Sequence, residues 1–298
     1  MTRAGQTLIT TADGTRLCID TLGDANPLVL VPNGGYLVDD LAPLAARRRL
    51  AFHDPRSRGK SDAVAGGGIL QDVDDMRTVA LHVTDAPVDV IAHSFAGLIA
   101  VLYAKAWPGG VRRVVLIGPL GPHPDREYPP SLMNRDETFA RVMRELGTLL
   151  PQRAKWPPEE FCQRVWSVLG ALYVTNPADA GRIRWGRCDL ENERNGLRYF
   201  QDVTLPSIRA LALTADDLRA VDIPVLVVHG TKDRSAPYGG GREWAMMLPD
   251  ARLLSIEGAG HAPWIEAPER VLPAIETFLD GDWPDGAERV TRLERDAR

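Results

Sequence analysis

A short run of the chain places a serine between a predicted strand and a predicted helix. Residues 88–97 read Val-Asp-Val-Ile-Ala-His-Ser-Phe-Ala-Gly. The β-branched residues at the start of this run predict a strand buried on both faces, and the apolar periodicity over 95–106 predicts a helix. Between them, Ser94 has Ala92 and Ala96 two residues to either side. Small neighbours allow the tight strand-to-helix turn that carries a nucleophilic serine, whereas a plain helix cap is the alternative interpretation.

Two further predicted strands are followed by an acid and a histidine. Residues 223–230 predict a buried strand that leads directly to Asp233, and the shorter strand at 251–256 leads to a small-residue loop carrying His261. In open α/β sheets, functional groups gather at the carboxyl ends of the strands. The order Ser94, Asp233, His261 is the order of a catalytic triad on such a sheet, so we predict that these residues form one.

Strands alternate with helices along most of the chain, which predicts parallel βαβ units. After Gly118 the alternation stops, and the following residues are mostly helical in pattern and rich in aromatic side chains. Because this segment is inserted after the sixth strand, we expect a helical cap above the strand ends. The predicted strands cover residues 7–11, 16–21, 27–31, 49–54, 88–93, 111–118, 224–230 and 251–256. The predicted domains are a core of residues 1–118 and 221–280, a cap of residues 119–220, and a tail of residues 281–298 that forms a solvated end or a short surface helix.

Composition excludes several classes of protein. The chain has 298 residues, of which 44% are hydrophobic, and this suits one large α/β unit with an insertion. The net charge of −5 gives no basic footprint for nucleic acid. The sequence contains no apolar run of about 18 residues for a membrane span and no apolar core of a signal peptide at its start. We therefore predict a cytoplasmic protein that binds neither membrane nor nucleic acid and whose partner is a small-molecule substrate.

The cysteines and the remaining histidines give no sign of a metal or a cofactor. Cys18, Cys162 and Cys188 are odd in number and widely spaced, so we predict reduced thiols rather than a disulfide framework or a metal site. Metal-ligand spacing is also absent among four further histidines, which are His53, His82, His123 and His229.

Taken together, these motifs resemble the α/β-hydrolase superfamily, in particular its serine-dependent branch of esterases, lactonases and proline-iminopeptidase-like enzymes. The resemblance extends from Leu8 to about Leu279. Asn33 departs from the family, which usually has His there, and Ser57 stands where the family has the first Gly of Asp-x-Arg-Gly-x-Gly. The resemblance is carried by Val-Pro-Asn-Gly-Gly-Tyr at 31–36, Asp-Pro-Arg-Ser-Arg-Gly-Lys-Ser at 54–61, the turn at 92–96, Gly-Thr-Lys-Asp at 230–233 and Gly260-His261.

The resemblance implies an α/β-hydrolase fold: a mostly parallel eight-stranded sheet with helices on both faces and a helical cap after the sixth strand. It also implies a mechanism that needs no cofactor or metal. Ser94 would attack the substrate, His261 would act as base and then acid, and Asp233 would orient the histidine. The backbone N–H groups of Gly35 and Phe95 would form the oxyanion hole. The residues predicted to contact substrate are Gly34, Tyr36, Trp185 and Trp264.

Several functional assignments stay open on the sequence. Cleavage of an ester or lactone through an acyl-enzyme is the first expectation, and a proline-iminopeptidase-like activity is the alternative. In the second case Glu191 and Glu193 would hold the substrate amine; otherwise they form a solvated helix face. Ala92 and Phe95 weaken the iminopeptidase resemblance, because that group normally has Gly before and Trp after the nucleophile. Carbon–carbon bond hydrolysis, acyl transfer in biosynthesis and a low-turnover receptor are further alternatives.

Other charged residues have two interpretations each. Asp54, Arg56, Arg58 and Lys60 stand close together after the fourth predicted strand. We expect them to brace the end of that strand, with a substrate contact as the alternative. Asp125 is the alternative acid of the triad, because some relatives carry this residue after the sixth strand.

Overall fold

The computed structural model describes residues 3–184 and 187–294. Within these residues, one sheet contains nine strands. They are Arg3–Thr10 (β1), Arg16–Leu22 (β2), Leu28–Pro32 (β3), Arg49–Asp54 (β4), Val88–His93 (β5), Val111–Ile117 (β6), Val225–Gly230 (β7), Ala251–Ile256 (β8) and Ala287–Glu288 (β9). Their order across the sheet is β1-β2-β4-β3-β5-β6-β7-β8-β9. The pairs β1–β2, β2–β4 and β8–β9 are antiparallel, and all other neighbouring pairs are parallel.

The predicted fold is confirmed, with one strand more than the eight expected. The extra strand is β9, which pairs with Leu253 and Leu254 of β8 and lies in the segment predicted to be a solvated tail or a surface helix. A strand of two residues is too short to show a hydrophobic period, which is why the sequence pattern does not reveal it.

Helices cover both faces of the sheet and fill the segment between β6 and β7. The helices are Val38–Leu41 (α1), Ile69–Val83 (α2), Ala96–Ala106 (α3), Pro130–Met133 (α4), Glu137–Leu149 (α5), Pro158–Tyr173 (α6), Glu191–Tyr199 (α7), Leu205–Arg209 (α8), Ala215–Arg219 (α9), Tyr238–Met247 (α10), Pro263–Glu266 (α11) and Pro268–Asp280 (α12). A π-helical turn, Phe200–Thr204, continues α7. None of the described helices combines the length and apolar character needed to span a membrane.

The core has two apolar layers, one on each face of the sheet. Every residue of β3, β5 and β7 is buried, as expected for central parallel strands. Side chains of α2, α3 and α10 pack on one face, and side chains of α1, α11 and α12 pack on the other. Burying one large apolar side chain contributes about 1.5–3 kcal/mol, so these layers fix the strand ends firmly in place.

Residues 119–220, called here the inserted segment, have a small apolar core of their own. It lies mainly between α5 and α6, and its buried residues are Val142, Leu146, Phe161, Val165, Leu169 and Leu172.

The prediction of three reduced cysteines is wrong for two of them. Cys162 of α6 and Cys188, just before α7, form a disulfide with their Cα atoms 5.8 Å apart. Cys18 is a free, buried thiol. The two bonded cysteines are 26 residues apart in sequence, so only the packing of α6 against the chain that enters α7 brings them together.

Candidate active site

Ser94 stands on a strained turn at the carboxyl end of β5. Its φ is +59°, in the left-handed region that residues other than glycine rarely adopt. The Ser94 N–H donates to the Ile117 carbonyl at the end of β6, with 3.0 Å between N and O. The chain enters α3 two residues later, and Ser94 lines a cavity of about 430 Å³.

The small residues around Ser94 let α3 approach the sheet. Ala92 and Ala96 are both buried. A Cβ atom added at Gly97 would lie 3.2 Å from Leu116 Cδ2 and 3.4 Å from Pro119 Cβ. A larger residue at position 97 would therefore push the helix, and the turn that carries the serine, away from β6.

Four hydrogen bonds hold the carboxylate of Asp233, which follows β7. Its Oδ1 accepts the N–H groups of Ser235 and Ala236, each at 2.8 Å. Its Oδ2 accepts from His261 Nδ1 at 2.7 Å and from His229 Nε2 at 3.0 Å. Burial alone would raise the pKa of Asp233, but the charge interaction with His261 and the hydrogen bonds from both histidines outweigh it and hold that pKa below its ordinary value. Asp233 is therefore a fixed negative charge at neutral pH.

His261, which follows β8, presents one ring nitrogen as a base. Because the Asp233 carboxylate only accepts hydrogen bonds, His261 Nδ1 carries the proton, and Nε2 of the neutral ring is unprotonated. Among the described residues no group hydrogen-bonds to Nε2, which is buried. This nitrogen can take up a proton.

Residues 118–120 connect the serine turn with the buried acid and histidine. A Cβ atom at Gly118 would lie 3.0 Å from His261 Nδ1 and 3.3 Å from Asp233 Oδ2, and the φ of Gly118 is +49°. Two residues later, the Leu120 N–H donates to the Ser94 carbonyl at 3.2 Å. The structure thus brings the three predicted triad residues to one end of the sheet.

The two predicted oxyanion donors line the same cavity as Ser94. Gly35 and Phe95 are both part of its wall. Within the described part of the chain, no carbonyl or side chain accepts either N–H group. Each is therefore available to a ligand.

The Asp54 carboxyl group packs against the loop that carries Gly35. A Cβ atom at Gly35 would lie 2.6 Å from Asp54 Oδ1, so the close approach requires a glycine. Burial, the largest cause, raises the pKa of Asp54 to about 7. Asn33, with a φ of +52°, also lines the cavity. Gly34 is buried outside the cavity wall, because Val31 packs against it, and this corrects its predicted role as a substrate contact.

His93 links the loop of Tyr36 with the loop of His261. Its Nε2 lies 3.1 Å from the His261 carbonyl oxygen, and its Nδ1 forms a hydrogen bond with the Tyr36 hydroxyl. Burial holds the pKa of His93 well below its ordinary value, so the ring is neutral. The carbonyl can only accept, so Nε2–H donates to it, and Nδ1 accepts from Tyr36 O–H. Tyr36 lines the cavity, and its contact with substrate stays a prediction.

The other two predicted substrate contacts do not form part of the described cavity wall. Trp264 is buried, with its ring centroid 4.8 Å from that of His93. Helix α11 turns it into the core behind the site, which corrects its predicted role. Trp185 lies outside the described residues.

Two polar groups of this site have no assigned role in the sequence analysis, namely His229 and His93. His229 Nε2 donates to Asp233 and also lies 3.2 Å from the Ala236 carbonyl oxygen. A Cβ atom at Gly241 of α10 would lie 2.1 Å from His229 Nδ1, so this ring depends on a glycine in the next helix. The available signals were the spacing of four residues between His229 and Asp233 and the position of His93 beside Ser94.

The inserted segment forms the opposite wall of the cavity. Phe200 of this segment packs against Phe95 of the sheet side, with the two ring centroids 5.5 Å apart, and both residues line the cavity. The residues that α6, α7 and the π-helical turn contribute include Trp166, Leu169, Tyr173, Glu193, Leu197 and Phe200.

The charged residues with two possible roles differ in whether they brace the structure or line the cavity. Arg56 braces the end of β4 through ion pairs with Asp75 and Asp13, whereas Arg58 lines the cavity. Glu191 is exposed, as expected for a solvated helix face. Glu193 is not: it lines the cavity, and its carboxylate accepts the Gly59 N–H at 2.8 Å.

Asp125, the alternative acid, is exposed and pairs with Arg209 at 2.8 Å. No group of three or more His, Cys, Asp or Glu side chains in the described ranges is arranged to hold a metal ion.

Comparisons with known proteins identify the family of this chain. Residues 28–274 match the model of the alpha/beta hydrolase family. The chain is 30% identical to a non-heme chloroperoxidase of Streptomyces lividans over 91% of this chain and 98% of that protein. It is 28% identical to a pimeloyl-[acyl-carrier protein] methyl ester esterase of Neisseria meningitidis over 83% of this chain and 88% of that protein. Among solved structures, an esterase of Exiguobacterium antarcticum superposes with a TM-score of 0.71 at 19% identity, over 93% of this chain and all of that one. The chain belongs to the alpha/beta hydrolase family.

Proposed function

We propose that this chain is a serine hydrolase that cleaves an ester or a lactone through an acyl-enzyme intermediate. One observation carries the proposal: the strained Ser94 turn opens into the cavity at the same end of the sheet where the buried Asp233–His261 pair leaves one imidazole nitrogen unpartnered. Similarity to a methyl ester esterase supports the same reaction class.

Each proposed role follows from a chemical need. A serine hydroxyl is a weak nucleophile at neutral pH, so a base must take its proton during attack. His261 Nε2 is that base, and after the attack it donates the proton to the leaving alcohol. Asp233, ionised and hydrogen-bonded to Nδ1, fixes the tautomer and stabilises the imidazolium.

The tetrahedral intermediate places negative charge on the former carbonyl oxygen. The N–H groups of Gly35 and Phe95, which have no internal acceptor in the described residues, stabilise this charge. Water then attacks the acyl-enzyme with the same histidine as base and releases the acid.

Amide cleavage of free-amine substrates is less well supported. The exposed Glu191 does not line the cavity, and Glu193 already accepts the Gly59 N–H beside a guanidinium, that of Arg58. A substrate ammonium placed there would be repelled by that cation.

A substrate screen with the Ser94→Ala variant as control tests the proposal. The substrates are p-nitrophenyl esters of short acids, lactones, and the naphthylamides of proline and alanine. We expect multiple turnovers on esters or lactones by the wild type and none by the variant. Turnover of the naphthylamides alone, or a single burst without turnover, would instead identify an aminopeptidase or a receptor.

A further inference from the structure

Two arginines in the loop after β4 differ in how their charge is neutralised. Arg56 forms a bidentate pair with Asp75, with two distances of 2.7 Å, and a further pair with Asp13 at 2.9 Å. Arg58 donates through Nη1 to the Gly196 carbonyl at 2.6 Å. Among the described residues, no carboxylate forms an ion pair with Arg58, and its Nε and Nη2 atoms have no hydrogen-bond acceptor. One edge of the Arg58 guanidinium is therefore open.

Arg58 lies close to the proposed nucleophile. Its Cζ is 5.8 Å from the ring centroid of Phe95, the residue that follows Ser94, and 5.3 Å from the ring centroid of Tyr199. Arg58 and Ser94 line the same cavity. A substrate in this cavity can thus reach both groups.

The inserted segment is adapted to the position of this guanidinium. A Cβ atom at Gly196, inside α7, would lie 3.0 Å from Arg58 Nη1. Glycine within a helix lowers its stability, so its presence here needs a reason in packing. The absent side chain lets the guanidinium reach the helix backbone, which fixes its orientation.

Nearby acids do not neutralise Arg58 by direct contact. Glu193 is engaged with the Gly59 N–H, and burial raises its pKa. Asp72 also interacts with Arg58 at longer range, and burial raises the pKa of Asp72 to about 7. Both acids therefore act on this half-buried cation through charge alone, without an ion pair or hydrogen bond that would occupy its open edge.

The other cations of the cavity wall are placed differently. Lys60 is exposed and donates to the Gln6 side chain at 2.9 Å, and Arg187 pairs with Asp189. Neither combines burial with an open edge.

We propose that Arg58 binds a carboxylate carried by the substrate that is cleaved at Ser94. An enclosed charge is costly unless it is paired, and the planar guanidinium edge matches the two oxygens of a carboxylate. This inference rests on the proposed function and narrows its substrate to esters of acids or alcohols that carry a second, ionised carboxyl group.

Matched substrates test where the carboxylate stands. One pair, mono-p-nitrophenyl glutarate and its methyl ester, places or removes the charge on the acyl side. A second pair, 4-acetoxybenzoate and its methyl ester, does so on the alcohol side. The measured quantity is the ratio of kcat/KM for the anionic to the neutral member. In Arg58→Met we expect this ratio to fall about 30-fold or more for at least one pair, with partial recovery in Arg58→Lys, which keeps the charge but loses the fork.

Two further variants control for the general field and for folding. Lys60→Met removes a cation at the exposed rim, and the ratio should change less than about threefold, as for a screened surface charge. Gly196→Ala keeps Arg58 but presses on its guanidinium, and the ratio should fall while the midpoint of thermal unfolding does not. An unchanged ratio in both Arg58→Met and Gly196→Ala, or an equal loss in Lys60→Met, would overturn the inference.

A binding measurement separates this inference from the proposed function. Glutarate should raise the thermal midpoint of the wild type and not that of Arg58→Met. Binding of glutarate without turnover of any ester would contradict the proposed function alone. Turnover of neutral esters with no glutarate effect and an unchanged ratio would contradict the carboxylate site alone.

Discussion

The two walls of the cavity are built by different means. On the sheet side, the helix behind Ser94 is buried from Ala96 to Ala104. On the opposite side, Gly196 is the buried residue of α7, and the remaining residues of that helix are exposed or half-buried. Apolar packing therefore fixes the proposed nucleophile, whereas on the facing wall hydrogen bonds, a guanidinium and a disulfide supplement the small apolar core of the inserted segment.

This difference separates reaction from selectivity. The sheet side supplies Ser94, His261 and the two proposed oxyanion donors, each just after a strand end that packing makes rigid. The inserted segment is joined to the sheet side by a few polar contacts, such as the hydrogen bond from the Gly59 N–H to Glu193. Segments held by few buried contacts open more easily than the core. We expect substitutions on the sheet side to change the rate of the chemical step and substitutions in the inserted segment to change substrate preference and local stability.

The largest effect is expected for Ser94→Ala. Removing the nucleophile should lower kcat for esters by about 10⁶, as loss of a triad nucleophile does. Alanine lacks only one oxygen, so the thermal midpoint should stay within a few degrees of the wild type. Steady-state kinetics and thermal unfolding measure the two quantities, and substantial remaining activity would show that another residue attacks the substrate.

Asp233→Asn should have the next largest effect. An amide can present its N–H₂ group to His261 Nδ1 and favour the wrong tautomer, so kcat should fall by about 10⁴. Asp125→Asn is the matched control, because Asp125 pairs only with Arg209 at the surface in the described structure. Near-normal activity of Asp233→Asn together with loss of activity in Asp125→Asn would transfer the acid role to Asp125.

The disulfide distinguishes the two walls directly. Replacing Cys162 and Cys188 by serine should lower the free energy of unfolding by about 2–4 kcal/mol, the usual contribution of such a cross-link. Because the bond joins α6 to the chain before α7, hydrogen exchange should accelerate in α7 and not in α3. Cys18→Ser, which removes the free thiol of β2, should leave exchange in α7 unchanged. Equal acceleration in α3 and α7 would mean that the walls are not mechanically distinct.

The same division explains which features the sequence predicted. The central strands are continuous apolar runs, and the residues at their ends are read directly from the chain, so the fold and the grouping of Ser94, Asp233 and His261 were accessible. Contacts across the cavity were not: Gly59 and Glu193 are separated by 134 residues, and no local pattern links them. Arg56 and Arg58 look alike in sequence, and only their surroundings make one a brace and the other part of the cavity wall.

The smallest expected effect concerns a buried acid of α2, a helix that packs on the sheet. Asp72 of α2 is buried, its Oδ1 has no hydrogen-bond partner in the described structure, and burial raises its pKa to about 7. In the unfolded chain the ordinary value of 3.8 applies. Between about pH 4 and pH 7 the native state therefore holds a proton that the unfolded state has lost, and the free energy of unfolding decreases as the pH rises through this window.

Asp72→Asn removes this titration. The stability difference between variant and wild type should be smallest near pH 4, increase in favour of the variant by about 1–3 kcal/mol up to pH 7, and stay constant above it. Asp74→Asn, an exposed change on the same helix, is the matched control for the substitution itself. Urea unfolding at several pH values measures both. A flat difference for Asp72→Asn would mean that its carboxyl is solvated in the native state, and that the sheet side of the cavity is less tightly closed than its apolar packing implies.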